Sequence, residues 1–178
     1  MLFRSVGITW TETQLDEVCN AFASVSSCAR PKISGCPKEV SNIWKSVDEG
    51  FEYLCTNPGK GIYVAHQECF ARPDLYRELE ACNRTFFSES QAAARAGSRQ
   101  AILDGTCRAI NRFVGCTSNS AETTCGEEAA DFQYTLVSKL IAGTLDLIDC
   151  RLTGGATSVT VTWLTVAMVI YSAFFPNL

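Results

Sequence analysis

Ten cysteines stand singly along 178 residues, never as a Cys-x-x-Cys pair. That spacing argues against a zinc ribbon or a thioredoxin-type site, both of which need two sulfurs close in sequence. An even number of scattered cysteines instead predicts disulfides formed in an oxidising compartment. All ten (Cys19, Cys28, Cys36, Cys55, Cys69, Cys82, Cys107, Cys116, Cys125 and Cys150) are expected to pair, giving five bridges. Ten cysteines allow about 945 pairings, so spacing alone does not fix the connectivity. Two local bridges suggest themselves, Cys28–Cys36 and Cys116–Cys125, because each would join the end of one helix to the start of the next. Each would stabilise the fold by roughly 2–4 kcal/mol.

Between the cysteines the apolar residues recur at helical steps. Thr11-Glu12-Thr13-Gln14 is a capping box ahead of Leu15, Val18, Cys19, Phe22 and Val25. Arg30-Pro31 and Gly35 should end that helix, and Pro37 suits the first position of the next. The second helix carries an unbroken stripe of Val40, Ile43, Trp44, Val47, Phe51, Leu54 and Cys55, weakened by about 1 kcal/mol at Gly50. Asn57–Gly61 is a turn cluster, and 61–66 is strand-like but short. Pro73 opens a third helix, Ser88–Gln91 looks like another capping box, and a fourth helix runs from about Arg99 to Val114. Asn119 and its neighbours read as a polar loop. The last helix lies between Cys125 and Cys150, with Ala129, Phe132, Leu136, Val137, Leu140, Ile141, Thr144 and Ile148 on one face. Its stripe and that of 40–54 are too apolar for solvent and should share a core.

The two ends of the domain look alike. Cys19-x8-Cys28-x7-Cys36-x18-Cys55 parallels Cys107-x8-Cys116-x8-Cys125-x24-Cys150, and Glu39 matches Glu128. Two readings fit: a degenerate repeat of a helix–loop–helix unit, or the pattern of any two cysteine-stapled hairpins.

Charge excludes one class of partner. Fifteen Lys and Arg against nineteen Asp and Glu give a net charge of -4, with no basic run, so nucleic acid is not expected. A secreted chain should open with an apolar signal segment. Residues 1–10 contain none, so the N-terminus is read as incomplete.

Several stretches carry a resemblance: Val18-Cys19-Asn20-Ala21-Phe22, Cys28, Cys36, Val47 through Cys55, Glu68-Cys69, Cys116, and Cys125-Gly126-Glu127-Glu128-Ala129-Ala130. Together they resemble the nematode chondroitin proteoglycan 4 domain, over about Leu15 to Cys150. Related nematode cysteine-rich secreted domains share much of the same pattern. The resemblance implies a disulfide-bonded secreted or surface structural protein, sometimes a glycosaminoglycan carrier, with no enzymatic activity. This sequence departs from that picture in its single Ser-Gly, Ser34-Gly35, which lies between Ile33 and Cys36 with no acid beside it.

No catalytic or metal-binding residue is expected, and no cofactor. His66 is the single histidine, and its surroundings match no nucleophile motif. Asn83-Arg84-Thr85 is an N-glycosylation sequon, expected at a polar helix end. The tail from Leu152 has no charge. Gly154-Gly155-Ala156, a short spacer and an apolar run from Trp163 to Phe175 suit a glycosylphosphatidylinositol (GPI) signal better than a spanning helix. Attachment is expected at Gly154, Gly155 or Ala156.

The sequence therefore predicts an all-α, disulfide-stapled bundle of about five helices with a hydrophobic C-terminal tail. Residues 1–10 are the incomplete N-terminus, 11–152 the cysteine-rich helical domain and 153–178 the anchoring tail. The expected function is a non-enzymatic extracellular or cell-surface structural or matrix protein. Its partners would be the membrane, through the tail or a lipid, and extracellular proteins or glycans. The alternative is a GPI-anchored receptor-like binding ectodomain of the GDNF-receptor type, whose adjacent Cys-x-Cys pairs are absent here.

Overall fold

The Thr11 capping box forms as its spacing demands: the Gln14 N–H donates to Thr11 Oγ1 and the Thr11 N–H to Gln14 Oε1. From there the computed structural model describes residues 10–153. Among these residues the chain forms seven helices and no strand. They are α1 (Glu12–Ile33), α2 (Lys38–Cys55), α3 (Gly59–Ala65), α4 (Gln67–Phe70), α5 (Pro73–Ala94), α6 (Arg99–Cys125) and α7 (Glu127–Leu147). The five long helices are those the periodicity predicts, and the two short ones fill the 59–70 connection. The strand-like residues 61–66 lie in α3 and its C-cap His66.

Three expected breaks are absent. Pro31 sits near the end of α1, where one missing N–H removes a single bond and the helix continues to Ile33. Ser88 lies inside α5, where the N–H groups that a cap would satisfy are already bonded within the helix. The polar run at Asn119 is helical because Thr117 and Ser118 are buried and satisfy their hydroxyls on the Phe113 and Val114 carbonyls, at 3.0 and 2.7 Å. Ala121, fully buried, extends that packed face by a further turn.

Helix α2 packs antiparallel on α7, and this contact lies at the centre. Val47 and Phe51 of α2 meet Leu140, with Val18 and Phe22 of α1 closing over them. Leu54 and Phe132 join Leu15 and Tyr63 in a second group, and Val137 and Leu145 join Ile110 and Val114 of α6 in a third. The two apolar stripes thus share a core. Glycines set the spacing of α2 and α7. A Cβ on Gly143 would run into the backbone of Asn42 and Ile43, and one on Gly50 into the Leu140 side chain. Ser46 adds a directional tie, its Oγ accepting the Gly143 N–H at 2.5 Å. On the flanks, α1 covers α2, α6 covers α7 and α5 covers α6.

Four disulfides join these helices: Cys19–Cys55, Cys69–Cys125, Cys82–Cys116 and Cys107–Cys150. The local bridges expected from spacing are not formed. Cys116 and Cys125 share α6, nine residues and about 13 Å apart along its axis, beyond the reach of a disulfide. Cys28 and Cys36 are unbonded and exposed, separated by the last turns of α1. Four bridges therefore replace the expected five.

Two expectations follow. Gly143→Ala should destabilise the domain by about 1–3 kcal/mol through backbone overlap, outweighing its gain in helix propensity. Gly115→Ala, whose Cβ meets nothing within 4 Å inside α6, should instead stabilise by up to about 1 kcal/mol. Urea unfolding of both variants checks this pair. The four bridges close spans of 34 to 56 residues. Each is worth on the order of 4 kcal/mol, so together they match the whole stability of an ordinary domain. Reduction should collapse the helical circular dichroism signal, and an unchanged spectrum in reductant would contradict this.

Candidate functional site

The polar groups that converge most closely lie in a groove between α1 and α2. Ser26, buried on α1, donates its hydroxyl to Asp48 Oδ1 on α2. Arg30, one turn on, donates to Asp48 Oδ2 at 2.8 Å from Nε and 2.7 Å from its terminal nitrogen. The Cys19–Cys55 disulfide, Phe22 and Phe51 line the groove as well, with Ala23, Ser27 and Glu52. The space is about 210 Å³, below the 300 Å³ or so at which small-molecule pockets begin. The Asp48 carboxylate is engaged on both oxygens, by Ser26 and by Arg30, and no imidazole lines the groove. This Ser-Asp pair acts as a tie between two helices.

His66, between α3 and α4, sits 3.0 Å from Glu128 Oε2 at the start of α7. Its ring lies beside Phe70, one of a group with Tyr63, Tyr53 and Phe132. Tyr63 anchors residue 10: its hydroxyl accepts the Trp10 N–H at 2.7 Å and donates to the Trp10 carbonyl at 3.2 Å. Burial pushes the Tyr63 phenol pKa up, so it stays a protonated donor at neutral pH. The sulfur nearest His66 in sequence, Cys69, is bonded to Cys125. The histidine thus has a carboxylate partner that can orient it and no thiol to activate. Among the described residues no group of three His, Cys, Asp or Glu side chains is placed to hold a metal ion.

Arg72 closes the junction of α4, α5 and α6. Its guanidinium donates to the Thr124 carbonyl, next to Cys125, at 3.4 Å and to the Asp74 carboxylate at 2.5 Å. That cation holds the Asp74 carboxyl down at about 2. No sequence motif announces this junction, because its partners are 52 residues apart.

Asn83 lies in the middle of α5 rather than at a helix end, half-buried beside the disulfide residue Cys82. Thr85 of the same sequon bonds back to the Ala81 carbonyl at 3.1 Å, so the acceptor triplet is helical in the folded domain. Gly154, Gly155 and Ala156 lie outside the described residues, as does the apolar run that follows. Among the described residues no helix is long and apolar enough to cross a membrane.

Removing the Asp48 carboxylate should cost about 1–3 kcal/mol, because the buried Ser26 hydroxyl loses its acceptor. Arg30→Ala, at an exposed cation, should cost less than about 1 kcal/mol. Denaturant midpoints for Asp48→Ala and Arg30→Ala decide this, and equal losses would contradict the division.

No family model matches the sequence, and no solved structure matches it. Over 138 residues it is 25% identical to an uncharacterized Caenorhabditis elegans protein, F44E2.4. That stretch covers 77% of this chain and 9% of the other protein. The chain therefore spans about a tenth of the length of the curated relative it matches.

Proposed function

We propose that the chain is a non-enzymatic structural domain of the cell surface or extracellular matrix, held at the membrane by a lipid attached near Gly154. The observation that carries this reading is the cross-linking. Disulfides tie α1 to the end of α2, α4 and α5 to α6, and α6 to the segment after α7. Such bonds persist in oxidising compartments, and they suit a domain that must hold its shape outside the cell. The sites described above support it from another side: their polar groups tie helices together, and the groove is small and open.

The receptor-like alternative draws on one feature. The described residues expose two large hydrophobics, Val25 and Leu147, on separate helices. Two side chains on separate helices do not make the contiguous area of several hundred Å² on which a reversibly bound soluble ligand normally docks. That favours the structural reading.

In a secretory pathway Asn83 would be reached by the glycosylation machinery before α5 folds around its sequon. Expressed on eukaryotic cells, the protein should leave the surface on treatment with a phosphatidylinositol-specific phospholipase. It should also lose mass on N-glycanase digestion. Protein that stays on the cells, with peptides from Trp163 onward still attached, would replace the lipid anchor with a spanning one. Protein recovered from the cytosol with reduced cysteines would overturn the extracellular reading altogether.

A further inference from the structure

The disulfides show that the two halves of the domain are built alike. Cys19–Cys55 and Cys107–Cys150 each join the first and fourth cysteines of a block. Aligning Cys19 with Cys107, Cys28 with Cys116 and Cys36 with Cys125 places α1–α2 on α6–α7. The side chains agree with that register. Ser26 meets Asp48 across α1 and α2 where Val114 and Val137 share one cluster across α6 and α7. The repeat suggested by cysteine spacing is thus a structural one.

One element is present in only one half. In the second, α4 and α5 lie on the outer side of α6, antiparallel to it. They are bonded through Cys82–Cys116 and Cys69–Cys125 and packed through Phe86 on Phe113, ring centroids 5.2 Å apart. Among the described residues, the first half has the matching surface with nothing on it. Cys28 and Cys36, the counterparts of Cys116 and Cys125, are free and exposed. Val25, the counterpart of Phe113, is 56% exposed where Phe113 is 6%. Ala21 is exposed where its counterpart Ala109 is buried.

We propose that this face of α1 is the seat of a helix of the α4–α5 type from outside these 178 residues, bound by two disulfides to Cys28 and Cys36. Eight of the ten cysteines in these 178 residues are bonded to one another, so the occupant's two cysteines come from outside them. The polarity of α5 on α6 fixes that of the partner. Its first cysteine meets Cys36, its second meets Cys28, and an aromatic one turn after the second covers Val25. A second copy of this chain is a poor occupant. Antiparallel α1 helices bonded Cys28 to Cys36 would set Lys32 against Lys32, and Cys69 and Cys82 of the copy are already used. A partner with acidic residues between its cysteines, as α5 has in Asp74, Glu78 and Glu80, suits Lys32 and Lys38.

Each bond forms by exchange with oxidised glutathione as the oxidant. A partner thiolate first displaces glutathione to give a mixed disulfide. The Cys28 or Cys36 thiolate then attacks the partner sulfur, one S–S bond forming as the other breaks, and the electron pair leaves on glutathione. For two bonds, four thiols are oxidised and two molecules of oxidised glutathione become four of reduced. The proposal rests on the extracellular reading only for its oxidising compartment. The test below is done in vitro and is independent of where the protein resides.

The probe is a synthetic peptide of residues 67–94 of this chain, which carries Cys69, Cys82 and Phe86 in the required order. It is incubated with the folded 178-residue protein in a glutathione redox buffer. The expected product is a one-to-one adduct with the four native bridges intact, the peptide's first cysteine on Cys36 and its second on Cys28. It should form at least tenfold faster than with a scrambled peptide of the same cysteine spacing. Val25→Asp in the protein, or Phe86→Ala in the peptide, should remove most of that advantage, with the variant's circular dichroism unchanged. A rate equal to that of the scrambled peptide would overturn the proposal. So would closure of Cys28 onto Cys36, a disulfide-linked homodimer through them, or a Val25→Asp protein reacting as fast as the parent.

Discussion

The architecture depends on how closely α2 and α7 can approach. Two glycines on facing helices, Gly50 and Gly143, leave no room for a methyl group, and the Gly143 N–H reaches the Ser46 hydroxyl across the gap. Glycine in a helix interior costs about 1 kcal/mol in propensity. Here that cost is offset by backbone proximity, which lets Val47, Phe51 and Leu140 fill the space around the contact with little void. Every outer helix is placed relative to this pair: α1 against α2, α6 against α7, and α5 one layer further out.

Disulfides then hold what packing alone would leave thin. The three buried clusters are small, and polar residues such as Ser26, Ser46 and Thr117 share their interior. The cross-links reinforce these clusters: Cys19, Cys55, Cys107 and Cys150 pack within or against them, and Cys82 is buried inside α5. Cys19–Cys55 and Cys107–Cys150 pin corresponding corners of the two halves, and Cys69–Cys125 and Cys82–Cys116 add an outer layer to one of them. That asymmetry leaves α1 as the most weakly covered of the five long helices, with Leu15 and Ser26 its buried residues.

Much of this was legible in the sequence because it is local. The capping box at Thr11, the stripes of α2 and α7 and the helical class all rest on contacts within a few residues. Helix endings were less legible. Pro31, Ser88 and Asn119 each suggest a helix boundary, yet the helix runs through all three, most plainly at Asn119, where Thr117 and Ser118 are buried and bonded to their own backbone. The connectivity was the least legible. Cys116 and Cys125 look like a loop pair only if α6 stops at Val114, and once the helix continues they must find partners 34 and 56 residues upstream. Spacing did carry the duplication, though not which half holds the additional layer.

The central claim is that the domain is a duplicated, cross-linked helical unit with one layer present on only one side. A disulfide map of the folded chain, taken by mass spectrometry without reduction, tests it most directly. The account predicts Cys19–Cys55, Cys107–Cys150, Cys82–Cys116 and Cys69–Cys125, with Cys28 and Cys36 bonded to neither of these sets. Recovery of Cys116 linked to Cys125, or of Cys19 linked to any residue but Cys55, would contradict it.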